Sequence, residues 1–308
     1  MQVAVNIRYG ECILAVLRHG SITAASKNLY ISQSALSQMI KRAERELGAE
    51  IFNRDTDPIS LTFAGERYLD AIRQVAAINT NLLNEVSEIN GEMRGCLRLG
   101  ISVQRGMQLL PLIIPEFARR YPKVRIELTE RGSTTLERLM HEGVFDLGLI
   151  TTEPRFSDLV YDLLETEEVV LIAGIHSRLA KKLGRREEIS IMEAADEPFV
   201  SLRAGHSVRK VQDTLFQEHM IEPPVLLETD SLEAAKRLAA TGAALMLCPN
   251  VYVAQDRELR EHLICYRVKG MDYRRNFYAC WRQDMPLPRF MTDLIHIIKK
   301  KLEEAQHV

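Results

Sequence analysis

Residues 21–54 read SITAASKNLYISQSALSQMIKRAERELGAEIFNR, and this stretch decides the fold. Ala24 and Ala25 are small enough to let one helix approach another. Leu29 and Ile31 bracket a turn with apolar side chains to bury on both sides, which predicts a helix-turn-helix. Ser32 is placed to cap the second helix by accepting from a free backbone N–H of its first turn. Leu36, Met39, Ile40, Ala43 and Leu47 then recur at spacings of three and four as one buried stripe. The opposite face carries Gln33, Ser34, Ser37, Gln38, Lys41, Arg42 and Arg45. Amides and hydroxyls near a helix start suit base edges, and the later cations suit phosphates.

Working outward, residues 7–19 predict a first helix with Ile13, Val16 and Leu17 facing inward and Gly20 ending it. Ser21 or Thr23 caps the second helix, and Gly48 stops the third in the left-handed conformation. Ile51 and Phe52 pack back, and residues 58–62 form the return strand of a wing. Arg54 at the wing's base has two readings: contact with the minor groove or a phosphate, or pairing with Asp55 or Asp57.

The run Ser32, Gln33, Ser34, Ala35, Leu36, Ser37, then Ile40, Glu44, Leu47, Gly48, Phe52 and Arg54, followed by Leu61, Thr62, Ala64 and Gly65, resembles the LysR-type transcriptional regulators. LLPLIIPEFARRYPKVRIEL at 109–128 and FDLGLI at 145–150 extend that resemblance into the second half of the chain. Two departures stand out. Ala43 replaces a larger aliphatic residue usual in the family, and Ser34 replaces a frequent proline.

A chain of 308 residues exceeds one compact core, so two or three domains are expected. Residues 1–65 form the DNA-reading domain, yet they hold seven Lys or Arg against six acids. That balance is weak for a lone DNA-binding module and predicts reliance on dimerisation. From Thr62 to Glu92 there is no proline, and two stripes run along one helix: Leu69, Ile72, Ala76, Leu83 and Val86 beside Tyr68, Val75, Ile78, Leu82 and Ile89. A helix apolar on two adjacent faces calls for a partner helix. The resemblance likewise implies a dimerising linker, taken as residues 66–94, and a homotetramer built as a dimer of dimers. Such an assembly reads an inverted repeat of double-stranded DNA and presents itself to RNA polymerase.

Beyond a hinge at Gly91 and Gly95, strand-like and helix-like segments alternate through residues 95–308, predicting a parallel sheet with helices on both faces. The resemblance implies an α/β effector domain of two lobes like those of periplasmic binding proteins, with residues 95–164 and 269–308 in one lobe and 165–268 in the other. Ligands gather beyond the carboxyl ends of parallel strands, where helix N-termini expose N–H groups. Ser102, Gln104, Ser133, Thr151 and Ser201 match the family's effector positions, and Arg203 and His206 face them as candidate cationic contacts for a small anionic metabolite. The alternative reading makes Ser102, Ser133 and Thr134 helix caps, His206 a loop histidine, and Arg105 and Arg209 solvated surface residues.

Other classes find little support. The G-x-S-x-G elbow, the phosphate-binding G-x-x-x-x-G-K-[ST] loop, G-x-G-x-x-G and H-E-x-x-H are all missing, leaving a fused enzyme and DNA-binding protein as the alternative and no cofactor beyond the effector. Cys12, Cys96, Cys248, Cys265 and Cys280 form no C-x-x-C pair, and residues 195–215 lack the cysteines of the family's peroxide-sensing branch. No apolar run approaches the roughly 20 residues of a membrane helix. The first 17 residues, broken by Asn6, Arg8 and Glu11, do not read as a signal peptide, so the cytoplasm is the expected location and no membrane partner is implied.

Overall fold

The computed structural model describes residues 6–306 apart from 54, 57, 92–93, 255, 272 and 286. Arg54 therefore lies outside the described residues. Helix α1 (Ile7–His19) is capped by Asn6 and ends at Gly20, φ 70°. Helix α2 (Ile22–Asn28) is capped by Ser21, which accepts from the Ala24 N–H. Helix α3 (Gln33–Leu47) is capped by Ser32, accepting from Ala35, and stops at Gly48, φ 77°. Ile13, Val16, Ala25, Leu36, Ile40 and Ala43 form the buried centre of this domain. Strands β1 (Phe52–Asn53) and β2 (Ser60–Leu61) pair antiparallel as the wing.

Helix α4 (Phe63–Ile89) starts from Thr62, whose Oγ1 accepts from Gly65 at 3.0 Å and donates to the Glu50 carbonyl at 2.6 Å. Gly65 has no substitute here, because a Cβ would sit 2.1 Å from the Ile51 carbonyl oxygen. The first turns of α4 bury Tyr68, Leu69 and Ile72 in the N-terminal domain. Farther along, the face buried within the chain is polar: Asn81, Asn84 and Ser87. Asn84 exchanges two 3.1 Å hydrogen bonds with the Cys96 backbone, and Ser87 accepts from the Arg94 N–H. Val75, Ile78, Leu82, Leu83, Val86 and Ile89 are left between 37% and 83% exposed.

The second half follows as β3 (Gly95–Ile101), α5 (Val103–Arg120), β4 (Val124–Glu130), α6 (Ser133–His141), β5 (Leu147–Thr151) and β6 (Leu159–Gly174). Then come α7 (Arg178–Leu183), β7 (Glu188–Ile189), a 3-10 turn (Ile191–Ala194), β8 (Phe199–Leu202), α8 (Ser207–Glu218), β9 (Val225–Thr229) and α9 (Leu232–Ala240). Strand β10 (Met246–Pro249), α10 (Val251–Ala254), α11 (Arg257–His262), β11 (Leu263–Val268), β12 (Arg274–Arg282) and α12 (Arg289–Gln306) complete it. The short elements α7, β7, α10 and α11 have too little periodic sequence to read in advance.

The sheet is mixed rather than parallel throughout. Strands β4, β3 and β5 run parallel, as do β8 and β9, but β12 is antiparallel to both β5 and β6. The physical reason is connectivity: a chain that leaves one lobe on β6 and returns on β12 lays the two crossing strands side by side in opposite directions. Residues 159–168 of β6 pair with β12, and residues 169–174 pair with β10 and β11. The change of partner falls four residues beyond the 164/165 division drawn from sequence. Each lobe packs its own apolar core, one around Leu97, Ile113, Leu149 and Leu294, the other around Ile172, Phe199, Leu215 and Leu247.

Candidate functional site

On α3, Gln33, Ser34, Gln38, Lys41 and Arg42 are exposed and Ser37 is half-buried. The capping bond of Ser32 holds the first turn, so the Gln33 and Ser34 side chains project from a fixed end. The Ser34 hydroxyl lies 3.0 Å from that of Ser32. Farther down, the Arg42 Nε pairs with Glu46 at 3.0 Å, one turn away. An exposed pair of this kind competes weakly with a phosphate. Ala43 is fully buried beneath this surface.

The two lobes enclose a cleft of about 450 Å³. Ser102, Gln104, Ser133, Thr151 and His206 all line it, brought together from four separate segments of the chain. Four helix N-termini converge there, those of α5, α6, α8 and α9. Ser102 and Ser231 cap α5 and α9, accepting from Arg105 at 3.4 Å and Ala234 at 3.1 Å. Helices α6 and α8 carry no side-chain cap. Ser133 is the first residue of α6, and its hydroxyl instead accepts from the Thr151 N–H at 3.1 Å, joining two walls of the cleft. Uncapped N-termini present free N–H groups and the positive end of the helix dipole, a combination suited to an anion.

Two of the sequence candidates lie elsewhere. Ser201 is 1% exposed and accepts from Gln212 Nε2 at 2.6 Å, behind the cleft wall. Arg203 points to solvent and pairs with Asp230 at 3.0 Å. Asp230 also sits 3.6 Å from His206 Nε2, so an acid stands beside the cationic candidates on that wall.

The expectation of solvated arginines fails at Arg105, which is 1% exposed. It bonds Glu165 at 2.9 Å and also Glu167, and its guanidinium stacks 4.0 Å from the Phe277 ring centroid. Arg275, which lines the cleft, bonds Glu167 at 2.8 Å and Ser207 at the start of α8 at 3.1 Å. Burial pulls the Arg275 guanidinium down, but neighbouring Glu167 and Tyr252 more than reverse this, so the net shift is upward and the group stays charged. The Nε of each arginine lacks a partner. Arg209, in turn, is held by Asp213 and Glu228, both at 2.7 Å.

Only one signal of this buried cluster is visible in sequence. Glu165 and Glu167 stand two apart, a spacing that puts both on one face of a strand such as β6. Their arginine partners come from about 60 and 108 residues away, beyond any local pattern. The cysteines carry no comparable signal: burial pushes Cys248 and Cys280 up to about 12, away from the thiolate form. No helix among the described residues is long and apolar enough to cross a membrane.

Residues 7–66 match the model for the bacterial regulatory helix-turn-helix protein of the lysR family, and residues 90–303 match the LysR substrate binding domain. The chain is 29% identical over 267 residues to the uncharacterized HTH-type transcriptional regulator YcgK of Bacillus subtilis, 82% of each protein. It superposes on full-length CbnR complexed with its target DNA with a TM-score of 0.66 at 20% identity, covering 96% of this chain and 99% of that one. It also matches the effector binding domain of QuiR in complex with shikimate, TM-score 0.56 at 15% identity, over 68% of this chain and 98% of that one.

Proposed function

We propose, for a chain that belongs to the LysR family of DNA-binding transcriptional regulators, that residues 1–65 read an operator, residues 66–94 pair two readers and residues 95–308 sense a small anionic metabolite. The protein is a regulator and not an enzyme. Gln33, Ser34, Ser37 and Gln38 supply base contacts, and Lys41, Arg42 and Arg54 supply phosphate contacts. The exposed apolar stripe of α4 favours pairing with the same helix of a second copy. Two such dimers make a tetramer that reads inverted repeats in successive major grooves. Action in the cytoplasm, where bacterial DNA lies, and communication with RNA polymerase at a promoter follow from this role.

The observation that carries the anionic effector is the convergence of four helix N-termini, two of them uncapped, on a cleft that Arg275 also lines. Ser102, Gln104, Ser133, Thr151 and His206 surround that point, with Ser201 and Arg203 supporting its far wall from outside. Because the ligand must bind one lobe arrangement more tightly than another, it acts by shifting that equilibrium. Thermal shift against a panel of small carboxylates, phosphates, amines and neutral apolar compounds tests the reading. Stabilisation by acids, lost in Ser133→Ala, is the expected result; stabilisation by amines or apolar compounds alone refutes it. DNase footprints recorded with and without the stabilising acid should differ in extent.

A further inference from the structure

The turn between α2 and α3 holds an unusual residue. Ile31 N–H donates to the Ser26 carbonyl at 3.1 Å and Tyr30 N–H to the Lys27 carbonyl at 3.3 Å. These two bonds are those of a Schellman motif, whose position after the helix takes a left-handed backbone and favours glycine. Here that position is Tyr30, at φ 55°. Among the described residues, Met220 is the one other non-glycine with positive φ.

Tyr30 is also 95% exposed. An aromatic side chain at this backbone conformation is disfavoured, and no contact within the described chain offsets it. A glycine would close the same turn without the strain. Met220, 92% exposed, closes the same kind of turn after α8, so what sets Tyr30 apart is its position beside α3.

Its place says where. Two residues later Ser32 caps α3, and Gln33, Ser34 and Gln38 stand exposed on the end that faces base edges. When α3 lies with its first turns in a major groove, the preceding turn passes over the groove's rim, which is the sugar–phosphate backbone. We propose that Tyr30 is a DNA-backbone contact: its phenol O–H donates to a phosphate oxygen beside the half-site that α3 reads. The bond fixes the register of the helix in the groove and carries no base preference. It rests on the reading of α3 as the recognition helix.

The test uses the full-length chain, an operator selected by it from random DNA, and an unselected duplex of equal length. Tyr30→Phe removes the hydroxyl alone and is expected to weaken both complexes roughly three- to tenfold, the scale of one ordinary net hydrogen bond at a solvated rim. The slope of log K against log salt stays the same, because a phenol displaces no counterion. Tyr30→Gly should melt no lower than the parent and lose at least as much DNA affinity, which separates DNA contact from folding. Unchanged affinity in both variants overturns the proposal, and so does a loss confined to the operator, which would make Tyr30 a base reader. Gln33→Ala is the control. If it leaves operator binding intact, the reading of α3 falls and Tyr30 with it; if it weakens the operator while Tyr30→Phe does not, only the Tyr30 contact falls.

Discussion

The DNA-reading domain and the floor of the cleft use charge in opposite ways. Lys41 and Arg42 stand in solvent on α3, Arg42 in an exposed pair with Glu46 one turn away, and in the proposed reading both turn to phosphates. Arg105, Glu165, Glu167 and Arg275 are buried together, with their partners inside the chain and drawn from α5, β6 and β12. Exposed cations exchange water and counterions for phosphate, so their effect depends on salt. Buried ions have already left water and depend on partners inside the chain, so removing one leaves the others with an uncompensated burial cost. Substitution of the reader's exposed cations should therefore spare its fold and weaken its binding, and substitution in the buried floor should do the reverse. Helix α4 connects them, with apolar side chains buried in the reader and asparagines docked on the sensor.

The largest effect should come from the connection itself. Placing charge in the exposed stripe with Leu82→Asp and Leu83→Asp is expected to leave each domain folded while lowering operator affinity about 10²–10⁴-fold, the scale of lost bivalency. Sedimentation together with operator titration checks this, and full affinity from a monomer would break the comparison by making one reader sufficient. Next, Arg105→Ala should destabilise the effector domain by about 3–5 kcal/mol, because Glu165 and Glu167 each lose a buried cationic partner. Chemical denaturation followed by Trp281 fluorescence reads this domain, and Arg105→Met combined with Glu165→Gln should recover much of the loss.

Smaller effects belong to the reader. Gln33→Ala should cost about 1–3 kcal/mol on the operator and relax base preference at one position, with unchanged melting. Lys41→Ala and Arg42→Ala should weaken operator and random DNA alike and each reduce the salt slope by about 0.9. A change in melting with no change in salt slope would place these cations with the structural ions of the cleft instead.

Much of the reader was legible because its determinants are local. Ser21, Ser32 and Gly48 mark helix ends within a few residues of the bonds they make, and the stripe from Leu36 to Leu47 follows helical period alone. The cleft was legible only in part. Ser102, Ser133, Thr151 and His206 follow strands whose order can be read, but Ser201 turns inward toward Gln212 and Arg203 outward toward Asp230. A residue at a strand's carboxyl end is easily placed near a cleft, while the direction of its side chain depends on the strand's register and twist.

The sequence by itself determined the helix-turn-helix, the long linker helix, the α/β character of the remainder and the family. Tertiary structure decided which face of α4 turns inward, which serines reach the cleft and that Arg105 is buried. The first set rests on periodicity and capping, whose partners lie within one helical turn or one strand pair. The second rests on contacts such as those of Arg275 with Glu167 and Ser207, 108 and 68 residues apart, which exist only once two lobes have closed around their crossing strands.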